Sequence, residues 1–147
     1  MPRSADQQFP PEKGPPPPRD WPRLARYAAR AVFELARARI AFARISMREI
    51  QALNAAHNGG EIPESADVLI GWIAYAVPRA AHRMPFRADC LVQALAAQRW
   101  LAAHGIGSSV VIGAERPDGQ PFAAHAWLEC GGRTVTGGET TQYTILL

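Results

Sequence analysis

Cys90 and His125 are the two side chains of this 147-residue chain whose types, order and settings suit acyl-transfer chemistry. Cys90 directly follows Asp89, a residue type that caps helices, and the segment after it reads as helical to His104. At a helix start, unpaired backbone N–H groups and the helix dipole favour a thiolate and can also hold an oxyanion. That setting predicts a lowered thiol pKa. His125 follows 35 residues later, inside Ala123-Ala124-His125-Ala126-Trp127-Leu128-Glu129, a segment that reads as a strand. Ala123, Trp127 and Glu129 share its face of the sheet, and the small alanines leave the imidazole accessible. Either residue alone has an ordinary structural reading: a small buried thiol, or a core histidine packed on Trp127. Together they read as a nucleophile and its general base and acid.

The elements that must position this pair follow from periodicity. Residues 1–20 hold Pro10, Pro11 and Pro15 to Pro18, the composition of an extended or disordered tail. From Pro22 to Asn54 the pattern predicts a helix, with Leu24, Ala28, Ala31, Leu35, Ala38, Phe42 and Ile45 on one stripe. Asn58-Gly59-Gly60 ends it. A second helix is expected from near Pro63-Glu64-Ser65 through Val68 to Ala81, kinked or ended by Pro78. A break at Met84-Pro85-Phe86 precedes the Cys90 helix, and Gly105 stops that helix. Strand patterns then run over Ser108 to Gly113, Phe122 to Cys130, Arg133 to Thr136 and Gln142 to Leu146, with a tight hairpin at Gly131-Gly132. Helices followed by an antiparallel sheet define an α+β class. The expected division is a tail over 1–20, a helical region over 21–83 and a catalytic core over 84–147, with 21–147 forming one compact domain.

Bulk properties exclude several classes. No charge-free run of 18 or more apolar residues is present, and the start lacks a signal-like apolar stretch. Two cysteines make no disulfide framework and read as free thiols in a reducing, cytoplasmic setting. Residues 1–48 carry ten Lys or Arg against four acids, whereas residues 49–147 carry six Arg against nine acids. The arginines of the first helix either solvate it or dock an acidic partner. Nucleic acid is not an expected partner, because no binding motif accompanies the charge. A zinc site from Cys90, His125 and Cys130 lacks paired ligand spacing, so neither a metal nor another cofactor is expected.

A helix-start cysteine followed by a strand histidine is the chain order of papain-type and transglutaminase-type sites. Several blocks carry a closer likeness: Arg87-Ala88-Asp89-Cys90-Leu91, Ala94-Leu95-Ala96, Leu101 to Ile106, Val111-Ile112-Gly113 and Pro121 to Glu129. With Arg37-Ala38-Arg39-Ile40 they resemble the transglutaminase-like peptidases of lasso peptide biosynthesis, over roughly residues 22–147. The resemblance implies a transglutaminase-like, papain-like core and removal of the leader from a ribosomally made precursor peptide. It further implies a protease that works with a separate leader-binding protein, and an ATP-dependent cyclase that closes the macrolactam. Within the resemblance Cys90 matches the nucleophile and His125 the base. The orienting aspartate of the family is expected near Gly137, where no carboxylate stands. Glu139 is the nearest candidate for that third role, with a two-residue diad or another polar group as the alternatives. Glu129 shares the face of His125 but lies about 13 Å along the strand. Trp72, Trp100 and Trp127 are expected in the core, and Trp127, next to the base, is also a candidate wall of the substrate groove. The competing functions are transamidation on the same scaffold, or an inactive scaffold that binds peptide.

Overall fold

The computed structural model describes residues 20–57 and 62–147. The proline-rich tail up to Arg19 and the Asn58-Gly59-Gly60 stop lie outside the described residues. The first helix, α1 (Trp21–Phe42), starts where Asp20 accepts a hydrogen bond from the Arg23 N–H at 3.2 Å, with Pro22 in its first turn. Ala31, Leu35 and Ala38 of the expected stripe are fully buried. The same helix buries Glu34, whose carboxylate pairs with Arg30 at 2.7 Å.

The stripe does not continue as one helix to Asn54. The chain breaks after Phe42 and restarts as α2 (Met47–His57). Ser46 and Glu49 form a capping box there: the Ser46 N–H donates to the Glu49 carboxylate at 2.6 Å, and the Glu49 N–H donates to the Ser46 hydroxyl at 3.3 Å. Reciprocal capping makes a new helix start cheap at that point. α3 (Ala66–Ala81) reaches Ala81 as expected and runs through Pro78, so Pro78 does not end it. Proline removes an N–H donor from the helix ladder. Close by, the Arg79 guanidinium donates to the Tyr75 carbonyl at 3.0 Å and lies 3.7 Å over the Tyr75 ring. Burial of Ala76, Val77, Ala80 and Ala81 holds the last turn in place.

α4 (Cys90–Ala103) packs against α1 and α3 on one side and β2 on the other. The antiparallel sheet is formed by β1 (Ser109–Glu115), β2 (Ala123–Cys130), β3 (Arg133–Thr136) and β4 (Thr144–Ile145), in the spatial order β3-β2-β1-β4. Alternation decides what each strand buries. Leu128 and Cys130 of β2 join Leu35, Ile73, Leu95 and Leu101 in the main core. Each such fully buried leucine or isoleucine contributes about 1.5–3 kcal/mol. Trp72 and Trp100 are buried as expected. Asn54 completes the outer edge of β1: its amide donates to the Val110 carbonyl at 2.8 Å and accepts from the Val110 N–H at 2.9 Å. Gln98 of α4 donates to the same Asn54 oxygen at 2.9 Å, so α2, α4 and β1 are fixed to one another.

Gly131 and Gly132, both with positive φ, turn β2 tightly into β3. The register then shifts at a bulge. Glu129 faces Thr134, but Leu128 faces Thr136, so one extra residue is accommodated on β3. Beyond the bulge, Gly137 comes to lie beside Trp127. Among the described residues no helix is long and apolar enough to cross a membrane.

Candidate active site

Cys90 is the first residue of α4. The Asp89 carboxylate caps the helix by accepting from the Val92 N–H at 3.3 Å. Burial pushes the Cys90 thiol above its ordinary value. A main-chain hydrogen bond from Ala126 pulls the other way, the Asp89 charge pushes it up, and the N–H groups of Leu91 and Cys90 itself pull it down. The net direction reverses the expectation from helix position, because removal from water outweighs the amides. A thiol pushed in this direction calls for a base beside it.

Asp89→Asn separates two of these effects. Asparagine still caps the helix, but the charge beside the sulfur is gone. The rate–pH profile for alkylation of Cys90 by iodoacetamide, read by peptide mass, is expected to move to lower pH. An unmoved profile would mean that the Asp89 charge does not reach the sulfur.

The histidine enters this site from β2. Ala126, whose backbone contacts the Cys90 sulfur, follows His125 directly in the chain, so strand and helix start meet at these residues. His125 Nε2 lies 2.6 Å from the Gly137 carbonyl oxygen. A carbonyl only accepts, so Nε2 carries the proton in this contact, and a neutral ring keeps its lone pair on Nδ1. Aromatic rings surround the imidazole. Tyr143 stands with its centroid 4.9 Å from that of His125, and Trp127 at 6.0 Å. Gly113, opposite His125 on β1, makes room for them, since a Cβ there would meet both Trp127 and Tyr143 at 2.8 Å. Burial raises the Tyr143 phenol above its ordinary value, with the charges of Glu115 and Cys90 acting in the same direction.

The other residues singled out from sequence have partners of their own. Glu139 is exposed, and its carboxylate accepts from the Thr141 hydroxyl at 2.9 Å and the Thr141 N–H at 3.4 Å. Trp127 is buried at 2% exposure, as expected of a core aromatic and not of the wall of an open groove, and donates its indole N–H to Glu129 at 2.9 Å. Glu129 is thereby committed to the indole. Cys130 is buried, with its thiol directed at the Gly107 carbonyl at 3.3 Å and pushed upward by burial. No cluster of three or more potential metal ligands occurs among the described residues. Tyr143 and the Gly137 carbonyl were not anticipated. Tyr143 stands in the expected last strand but outside any motif, and a carbonyl has no residue type to read.

A cavity of about 320 Å³ lined by Tyr27, Ala66, Leu69, His104 and Ile106 lies at the far end of α4. By helix rise it is about 20 Å from Cys90, so it is separate from this chemistry.

No curated protein and no solved structure matches the chain. Residues 31–147, which span α4, the sheet and most of the helical region, match the family model of the transglutaminase-like superfamily. That match covers most of the chain and contains both Cys90 and His125, and the chain belongs to the transglutaminase-like superfamily.

Proposed function

We propose that this protein is a cysteine peptidase that removes the leader from a ribosomally made lasso precursor peptide. The superfamily includes cysteine peptidases and acyltransferases. The observation that carries the catalytic reading is the meeting of Cys90, at the start of α4, with the His125–Ala126 segment of β2. The lasso assignment rests on the sequence blocks around Cys90 and His125. The partners on this reading are the precursor, a separate leader-binding protein and the ATP-dependent cyclase that uses the freed amine.

The reaction runs in two halves. His125 takes the thiol proton at Nδ1 as Cys90 Sγ bonds to the scissile carbonyl carbon, and helix-start N–H groups stabilise the oxyanion. The C–N bond then breaks, the imidazolium gives its proton to the departing amine, and a thioester remains. Water loses a proton to His125, attacks the thioester and releases the leader acid, returning the thiol.

The test is incubation of a precursor and its leader-binding protein with this chain in ¹⁸O-water. The peptidase reading expects a core peptide with a free amino terminus and one ¹⁸O in the new leader carboxyl. A leader amide formed with an added amine would indicate acyl transfer instead. Binding of the precursor with no product would assign the chain to the scaffold class.

A further inference from the structure

We propose that Gly137 is the positioning residue of this site, its main-chain carbonyl doing for His125 what a carboxylate does in aspartate-bearing relatives. The proposal builds on the peptidase reading. The geometry supplies three independent supports.

The first is the 2.6 Å contact between His125 Nε2 and the Gly137 oxygen, a short and direct hydrogen bond. The second is the bulge in β3. Continuing the Glu129–Thr134 register without it would put Thr136, not Gly137, beside Trp127. Bulges next to active sites re-aim groups in this way. The third is the glycine itself. Its φ of +106° is a conformation that side-chain-bearing residues rarely adopt, and a Cβ would lie 2.4 Å from Trp127 Cβ. The backbone is thus held against Trp127 in a conformation that favours glycine, and the carbonyl is held on the histidine.

Two chemical consequences follow. The proton is fixed on Nε2, which leaves the Nδ1 lone pair for the thiol. The acceptor is a neutral dipole, so it orients the ring but supplies no charge to stabilise an imidazolium. With no charge to hold a pre-formed ion pair, proton transfer from thiol to Nδ1 accompanies attack instead of preceding it. The raised Cys90 thiol agrees with this. The Glu139 carboxylate, engaged with Thr141, is not needed for the orienting role.

The experiment changes the carbonyl without adding an atom near Trp127. Cys130 offers a ligation point, so residues 1–129 can be joined to a synthetic segment in which the Gly137–Gly138 amide is an ester. An ester carbonyl is a weaker acceptor. The expected result is a fall in kcat of about tenfold with KM unchanged, the scale of one neutral hydrogen bond. The second readout is ¹⁵N NMR of histidine-labelled full chain, with His125 assigned by comparison with His125→Gln. The unmodified protein is expected to show a pyrrole-like Nε2 and a pyridine-like Nδ1, and the ester a mixture of tautomers. A proton on Nδ1 in the unmodified protein would overturn the proposal. So would an ester protein with wild-type kcat, or a Glu139→Gln protein that loses both kcat and the Nε2–H tautomer. If the ester protein does not refold, the tautomer of the unmodified protein and the Glu139→Gln comparison still decide. The tautomer is read without turnover. A protein with the Nε2–H form that cleaves no peptide would retain the positioning role and lose the reaction class.

Discussion

Cys90→Ala is expected to lower turnover of the precursor by on the order of 10⁴-fold or more, with the fold retained. The reaction proposed here passes through a thioester, and alanine offers no atom to form one. The stability cost is small, because alanine is a good helix former and loses only one sulfur from a partly buried position. Circular dichroism and the thermal midpoint should therefore stay close to wild type while product formation stops. Cys90→Ser is expected to fall nearly as far. A hydroxyl is much harder to deprotonate than a thiol, and its base would be an imidazole held by a neutral carbonyl. Cleavage that survives Cys90→Ala, measured by mass spectrometry on repurified protein, would remove the thiol from the mechanism.

Gly137→Asp is expected to unfold or strongly destabilise the protein instead of restoring a triad. The change places a carboxylate where the resemblance to aspartate-bearing peptidases puts one, so a purely sequence-based expectation is a gain. The structure opposes it twice. A residue with a Cβ at φ +106° is strained, at about 1–3 kcal/mol. The Cβ would also lie 2.4 Å from Trp127 Cβ and 3.2 Å from the Ala126 carbonyl, and such overpacking costs about 1–3 kcal/mol more. Together they take a large share of a total stability of about 5–15 kcal/mol. Urea denaturation followed by tryptophan fluorescence measures the loss directly. Wild-type stability together with raised kcat would show that the Gly137 backbone had rearranged to accept the side chain, against the packing described here.

Much of the fold was legible because it depends on periodicity. The stripe of Ala31, Leu35 and Ala38, the Asp89 cap, the Gly131-Gly132 hairpin and the alternation along β2 are local patterns with local causes. One departure was also local. Ser46 and Glu49 have the spacing of a capping box, but the apolar stripe running through to Ile45 masked the helix break. Pro78 reads as a kink or an end within a helix reaching Ala81, and tertiary burial of the turn beyond it excluded the end. The direction of the Cys90 shift was not legible in the same way. Helix position predicts a lowered thiol pKa, but how much water reaches the sulfur depends on what covers it.

The site therefore divides by cause. Residue type and order alone singled out Cys90 and His125 as the candidate pair, and flanking blocks pointed to the superfamily. Only the tertiary structure decided what orients the histidine. The carboxylate that sequence offered, Glu139, is turned to Thr141, while a bulge in β3 brings the Gly137 carbonyl to Nε2. Every residue carries a carbonyl, so no residue type marks the one that will be used. Strand register and a close approach that only glycine permits make that choice.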